Sequence, residues 1–417
     1  MLLQRRHFSL LAVATVASLG AATAPATWAQ TGSGPAANTA AWNQTLAQAR
    51  GQTVYWNAWA GDEKTNAFIA WAGQQVKARH GVTVVHTRLQ DTAEAVTRVV
   101  AEKAAGRSNG GTVDLIWING PNFLAMKQQG LLHGPVTQLL PNFQYVDTVN
   151  KRSNVIDFTT PVDGMAVPWS LAQLVFVYDA ARITNAADVP RSAPAMLAWA
   201  KAHPGRLTHP QVSNFLGSTF LKQALVDLLP DPTVLQAPAT DASFAPTTAP
   251  LWAWYDQLKP HLWRQGRQFP DNGPAQRQLL NDGEIDITLS FHPAEAAAAV
   301  RDGLLPATVR PFTFAKGSIG NTSFVAIPYN AAHQAGALVL ANFLISAEAQ
   351  ARAQSITYLG NLNVLDLARL PAAERARFVQ DSNPALPTAA QLGTPQLEPH
   401  ASWMTRIEAE WRQRYTR

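Results

Sequence analysis

The sequence predicts an α/β protein made of two lobes with a cleft between them. Two observations carry this: there are two blocks in which β-type runs alternate with helical runs, and extended, proline-marked stretches join them.

In the first block, residues 53–59 form a β-type run rich in Val, Tyr and Trp. Asp62 is placed to cap a helix over 63–80, with Phe68, Ile69, Ala72 and Val76 on one face. Lys77, Arg79 and His80 fall in its last turn, where cations meet the negative end of the helix, and Gly81 ends it. Residues 82–89 are the next strand. Asp91 and Glu94 have the spacing of a capping box and open a helix to about 105. The apolar run 113–118 suits a strand covered on both faces, and 121–129 is helical up to Gly130. This order predicts a parallel sheet that binds ligands beyond the carboxyl ends of its strands, at 57–63 and 119–122.

The second block opens with an extended stretch, 165–169, interrupted by Pro168, and a strand at 174–178. Helices are expected at 194–201, 219–228 and 252–258. Residues 230–250, rich in Pro, Ala, Thr and Asp, read as an irregular connection. A strand at 285–289 runs into Ser290-Phe291-His292-Pro293, and an extended run at 321–328 precedes a helix over 331–346.

The N-terminus predicts export. Arg5 and Arg6 precede an uncharged, Ala-rich stretch at 10–24, and Thr27-Trp28-Ala29 supplies small residues before a cut, so 1–29 reads as a signal peptide. The stretch is short for a bilayer span. The arginine pair with Phe8 partially matches a twin-arginine signal. Residues 30–41 read as a flexible lead-in. The net charge of +5 includes the two signal arginines, and no dense Lys/Arg run invites nucleic acid. The 417 residues contain no cysteine, which excludes disulfides and a lipid-anchored N-terminal cysteine.

No phosphate loop, nucleophile elbow or helical zinc motif is present, and the scattered histidines, His80/His86 and His203/His209 included, read as ordinary residues. Neither a metal nor a cofactor is expected. Tryptophan stands out, with 13 in the chain. Trp56, Trp71 and Trp117 lie within strands or a helix stripe and read as core. Trp59 and Trp169 sit beside Gly or Pro turns and read as cleft platforms, where a cation on the ring face gains about 0.5–2 kcal/mol.

The stretches VYWNAWAGDEKTNAFIAW, VDLIWINGPNFLAMKQQGLL, GMAVPWSLAQLVFVYD, LGSTFLKQAL and GNTSFVAIPYNAAHQAGALVLANFLIS, in this order, resemble the solute-binding components of ABC importers. Within them the chain is similar to the branch typified by the enterobacterial YnjB proteins, related to binders of thiamine, polyamines and ferric iron. The resemblance implies a periplasmic-binding-protein-like fold of type II, with a multi-strand hinge. Lobe one would hold 42–167 and 291–328, lobe two 168–290 and 329–417, with crossovers near Pro168, Ser290 and Pro328. It further implies a monomeric periplasmic receptor without enzymatic activity, which meets a small-molecule solute and an inner-membrane ABC permease.

The seven tyrosines are never adjacent, unlike the tyrosine-rich sites of iron-binding relatives. Gly217-Ser218-Thr219 at a helix start suits an anion, whereas Asp62 and Glu63 beside an aromatic strand end suit a cation or serve only as helix caps. A thiamine-like compound or a polyamine is therefore expected, with a sugar receptor or an exported hydrolase as the alternatives. The expected ligand contacts are Trp59, Asp62, Glu63, Asn119, Asn122, Trp169, Ser170, Ser218, Ser290, Phe291, Asn321 and Tyr358.

Overall fold

The computed structural model describes residues 35–379 and 382–416, so the expected signal at 1–29 lies outside the described residues. Helix α1 (Pro35–Ala49) takes up part of the expected lead-in. Proline fits a first helical turn, where its missing N–H is not needed, and the Ala-rich stretch packs against helix α10 (Gln334–Leu344).

In the first lobe, β1 (Thr53–Trp59) pairs in parallel with β2 (Thr83–Leu89) and with β3 (Leu115–Ile118). Helices α2 (Glu63–His80), α3 (Ala93–Ala104) and α4 (Gly120–Gln128) follow these strands. Asp62 accepts from the Thr65 backbone N–H at the start of α2, and Gly81 ends it at φ +70°, both as the sequence predicts.

The sheet is mixed rather than parallel. β10 (Ile319–Ala326) runs antiparallel to β3, and β6 (Ala166–Gln173) runs antiparallel to β10. The chain enters β10 directly from the other lobe, whereas β6 is reached within the first lobe and leaves it, so β10 runs against both of its neighbours β3 and β6.

In the second lobe, β7 (Val175–Asp179) lies between β8 (Ile287–Ser290) and β9 (Val309–Phe312), antiparallel to both. Helices α5 (Ala193–Ala202), α6 (Phe215–Leu228), α7 (Asp241–Leu258), α8 (Gly273–Asn281) and α9 (Glu295–Arg301) complete it. α7 replaces half of the expected irregular connection. A capping box between Thr240 and Ser243 starts it, and burial of Trp252, Trp254 and Tyr255 holds it despite Pro246 and Pro250 inside.

The lobe boundaries also differ from expectation. β9 pairs with β7, so 291–312 belongs to the second lobe. α10 and α11 (Ala347–Gln354) share the first lobe's core with Val54 and Phe68. The crossovers fall at Leu174 and at 313–318, not at Pro168, Ser290 and Pro328. β6 runs through Pro168 because a bulge between Ser323 and Phe324 breaks the register beside it.

Beyond the hairpin of β4 (Ile156–Asp157) and β5 (Thr160–Pro161), and the short turns α12 (Ala372–Arg375) and α13 (Ala389–Leu392), the chain returns to the first sheet as β11 (Gln396–Leu397), beside β10. It ends in α14 (Ala401–Tyr415), which buries Trp403, Ile407 and Trp411 in the second lobe's core and also packs against α4 of the first.

Candidate ligand cleft

The lobes meet over a buried charge cluster. Lys222, in the third turn of α6, is fully buried. Its Nζ donates to Glu398 Oε2 at 2.6 Å, and Asn321 Nδ2 donates to the other oxygen at 2.9 Å. Two rings close on the ammonium, with centroids 4.5 Å away for Phe158 and 4.9 Å for Phe215. Phe158 comes from the first lobe and Phe215 from the second. Phe215 also packs edge-on against Phe291, so an aromatic row crosses the cleft.

Asp157 and Glu408 are the next carboxylates. Asp157 Oδ2 accepts the Gly120 backbone N–H at 2.6 Å. That tie anchors the β4–β5 turn, in which Phe158 and Thr159 both have positive φ, to the start of α4. Burial pushes the Asp157 carboxyl well above its ordinary range, and Glu398 adds to the shift. Burial also raises Glu398, against the opposing pull of Lys222. Glu408, on α14, is pushed up to about 7 by burial, against the pull of Arg412, Ser218 and Lys222. Desolvation favours the neutral form of any carboxyl, and one lysine is too little to offset three.

The expected contacts divide into three groups. Ser218, Asn321 and Phe291 gather at this cluster. Asn321 holds Glu398, Ser218 acts on Glu408, and Phe291 touches Phe215.

Trp59, Asp62, Glu63, Asn119 and Asn122 lie at the strand ends of the first lobe. There Trp59 folds back over Gly61, where a Cβ would sit 2.2 Å from its ring. Asp62 caps α2, and Glu63 accepts from Asn66. Asn119 precedes α4 without a side-chain cap, and Asn122 is half-buried in its first turn.

The remaining four sit elsewhere. Ser290 receives the His292 backbone N–H and bonds Glu295, beside a cavity of about 10 Å³, too small for a solute. The Arg352 guanidinium lies over the Tyr358 ring, 3.5 Å from the ring centroid. Ser170 is buried in β6. Trp169 is a correction: only 1% exposed, it stacks on Phe68 and meets Trp56 and Trp117 edge-on. No ring face is left for a ligand, because β6 continues through Pro168 and points this side chain into the core.

Lys222, Glu398, Asp157, Phe158, Phe215 and Glu408 were not anticipated. The signal for Lys222 was present: a lysine flanked by Phe220, Leu221, Ala224 and Leu225 cannot stay charged and buried without a partner. Its partner, 176 residues away, leaves no local trace. Among the described residues no cluster of His, Cys, Asp and Glu is arranged to hold a metal ion. His209 is stacked between Phe220 and Phe269, and burial lowers it to about 4.

Residues 71–374 match the family model described as bacterial extracellular solute-binding protein. The chain belongs to this family. Protein YnjB of Escherichia coli (strain K12) is 41% identical over 363 residues, covering 86% of this chain and 90% of that protein. Among solved structures, AfuA from Actinobacillus pleuropneumoniae, with fructose-6-phosphate bound, superposes with a TM-score of 0.60 at 12% identity, over 88% of this chain and 99% of that one. Iron-bound HitA from Pseudomonas aeruginosa gives 0.59 at 16% identity, over 86% and 98%. A Listeria monocytogenes protein ascribed to a spermidine/putrescine ABC transporter gives 0.58 at 16% identity, over 87% and 98%. The fold is that of the type II periplasmic binding proteins. Members of the solute-binding family are receptors that bind small solutes outside the cytoplasm for ABC permeases.

Proposed function

We propose that this receptor is a free, monomeric periplasmic protein that captures a small organic cation, a polyamine or a thiamine-like compound, and performs no chemistry on it. The leader at 1–29 would direct its export. One observation supports the reading most strongly: two buried carboxyls, Asp157 and Glu398, a half-buried third, Glu408, and a row of phenylalanines lie around a single lysine where the lobes meet. The ring faces favour a cation over an anion, and a bound cation would draw these carboxyls back toward their charged form. Contacts from both lobes would then hold the closed form, as differential affinity for one conformation requires.

A thermal-shift screen tests this. At about one hundred times its dissociation constant, a true ligand adds roughly 2.7 kcal/mol of stability. Spermidine, putrescine or thiamine should raise the melting temperature. A response only to sugars or sugar phosphates would overturn the cation assignment, and turnover of a bound compound would overturn the receptor reading.

A further inference from the structure

We propose that Lys64 and Asp302 form a clasp between the two lobes, which favours the closed form and thereby raises solute affinity. Both are positioning residues: they act through closure and not by touching the solute. The clasp works alike for any solute, so it stands apart from the choice of a cation.

Lys64 Nζ lies 2.5 Å from Asp302 Oδ2. Lys64 belongs to the first turn of α2, which follows β1 of the first lobe. Asp302 ends α9, between β8 and β9 of the second lobe. The two helices are anchored in separate cores. α2 buries Phe68, Ile69, Ala72 and Val76 in the first lobe, whereas α9 buries Ala296 to Ala299 beside Val175 and Val177 of β7. The pair therefore joins elements that move apart when rigid lobes rotate about the crossovers at Leu174 and 313–318.

Neither charge suits its own helix. Lys64 stands at the positive end of α2 and Asp302 at the negative end of α9, so each opposes the dipole of the element that carries it. What offsets this lies outside the helix: each has the other. Asp302 is also steadied by Arg301, whose Nε donates to it at 2.7 Å while Nη2 donates to the Thr357 carbonyl, on the turn after α11, at 3.0 Å. Burial alone would raise the Asp302 carboxyl, yet the hydrogen bonds from Lys64 and Arg301 hold it below its ordinary value, and it is ionised at neutral pH.

The side chains of Lys64 and Asp302 are 29% and 28% exposed, so solvent screens the pair in part. Such a pair shifts an equilibrium by about two- to fivefold. Apparent affinity follows the population of the binding-competent form, so the same factor passes to the solute.

The distance between spin labels on the two lobes, measured on the full chain dialysed free of solute, tests the clasp. The chain has no cysteine, so Val85→Cys in β2 and Val234→Cys in the second lobe, both at exposed positions, take the labels alone. Lys64→Gln and Asp302→Asn should each raise the open-to-closed ratio about two- to fivefold. The charge swap Lys64→Asp/Asp302→Lys should bring it back to within about twofold of the starting protein. Thermal melting confirms that each variant is folded. A ratio unchanged in both single variants, or a swap that stays as open as they are, overturns the clasp. Because no solute is present, that outcome leaves the receptor reading and its cationic ligand standing.

Discussion

Lys222 Nζ lies 2.6 Å from Glu398 Oε2, and the lysine is wholly removed from solvent. The pair joins α6 to the segment between β11 and α14, so one ion pair ties the second lobe's core to the strand that returns to the first sheet.

Removing one member should therefore be expensive. Glu398→Gln leaves a buried ammonium without its counter-charge and should cost about 3–5 kcal/mol, read from urea unfolding. The double variant Lys222→Met/Glu398→Leu should recover much of that loss. A loss below about 1 kcal/mol for the single variant would contradict the buried pair.

Trp169 should behave as a core residue. Trp169→Ala should destabilise by about 3–5 kcal/mol by leaving a cavity among Phe68, Trp56 and Trp117. Trp169→Phe should leave solute affinity within twofold of wild type by titration calorimetry. A selective loss of affinity with unchanged stability would return this side chain to the ligand site.

Glu408 gives the ligand-free protein a pH dependence of known sign. Its carboxyl is raised from 4.5 to about 7 by burial. Its contribution to stability is fully present below about pH 4.5 and is lost as the pH rises through 7, because the unfolded chain gives up the proton first. Urea midpoints between pH 4.5 and 8 should fall more steeply in wild type than in Glu408→Gln. Parallel curves would contradict the burial of this carboxyl.

Gly120 has φ +57°, and a Cβ there would stand 3.3 Å from the Phe158 ring. Gly120→Ala should cost about 1–2 kcal/mol from backbone strain alone. It should also weaken solute binding by displacing the ring, measured by thermal melting and titration on the same sample.

Local chemistry made much of the first lobe readable. The Asp62 cap, the Gly81 stop and the apolar stripe of α2 follow from short-range pattern, and the structure shows each one. Pairing over long distance was not readable. Nothing near residue 319 announces an antiparallel return to β3, and nothing near residue 309 announces its place beside β7. The cleft floor failed for the same reason. Asp157, Lys222 and Glu398 are far apart in the chain, and each alone looks like an ordinary charged residue. Ser218, Asn321 and Phe291, expected as ligand contacts from the sequence, lie beside this charge cluster.

Native mass spectrometry of the protein freshly isolated from the periplasm tests the central claim most directly. The account predicts one bound small amine per chain, released on denaturation. A bound sugar phosphate or metal ion in its place would contradict it.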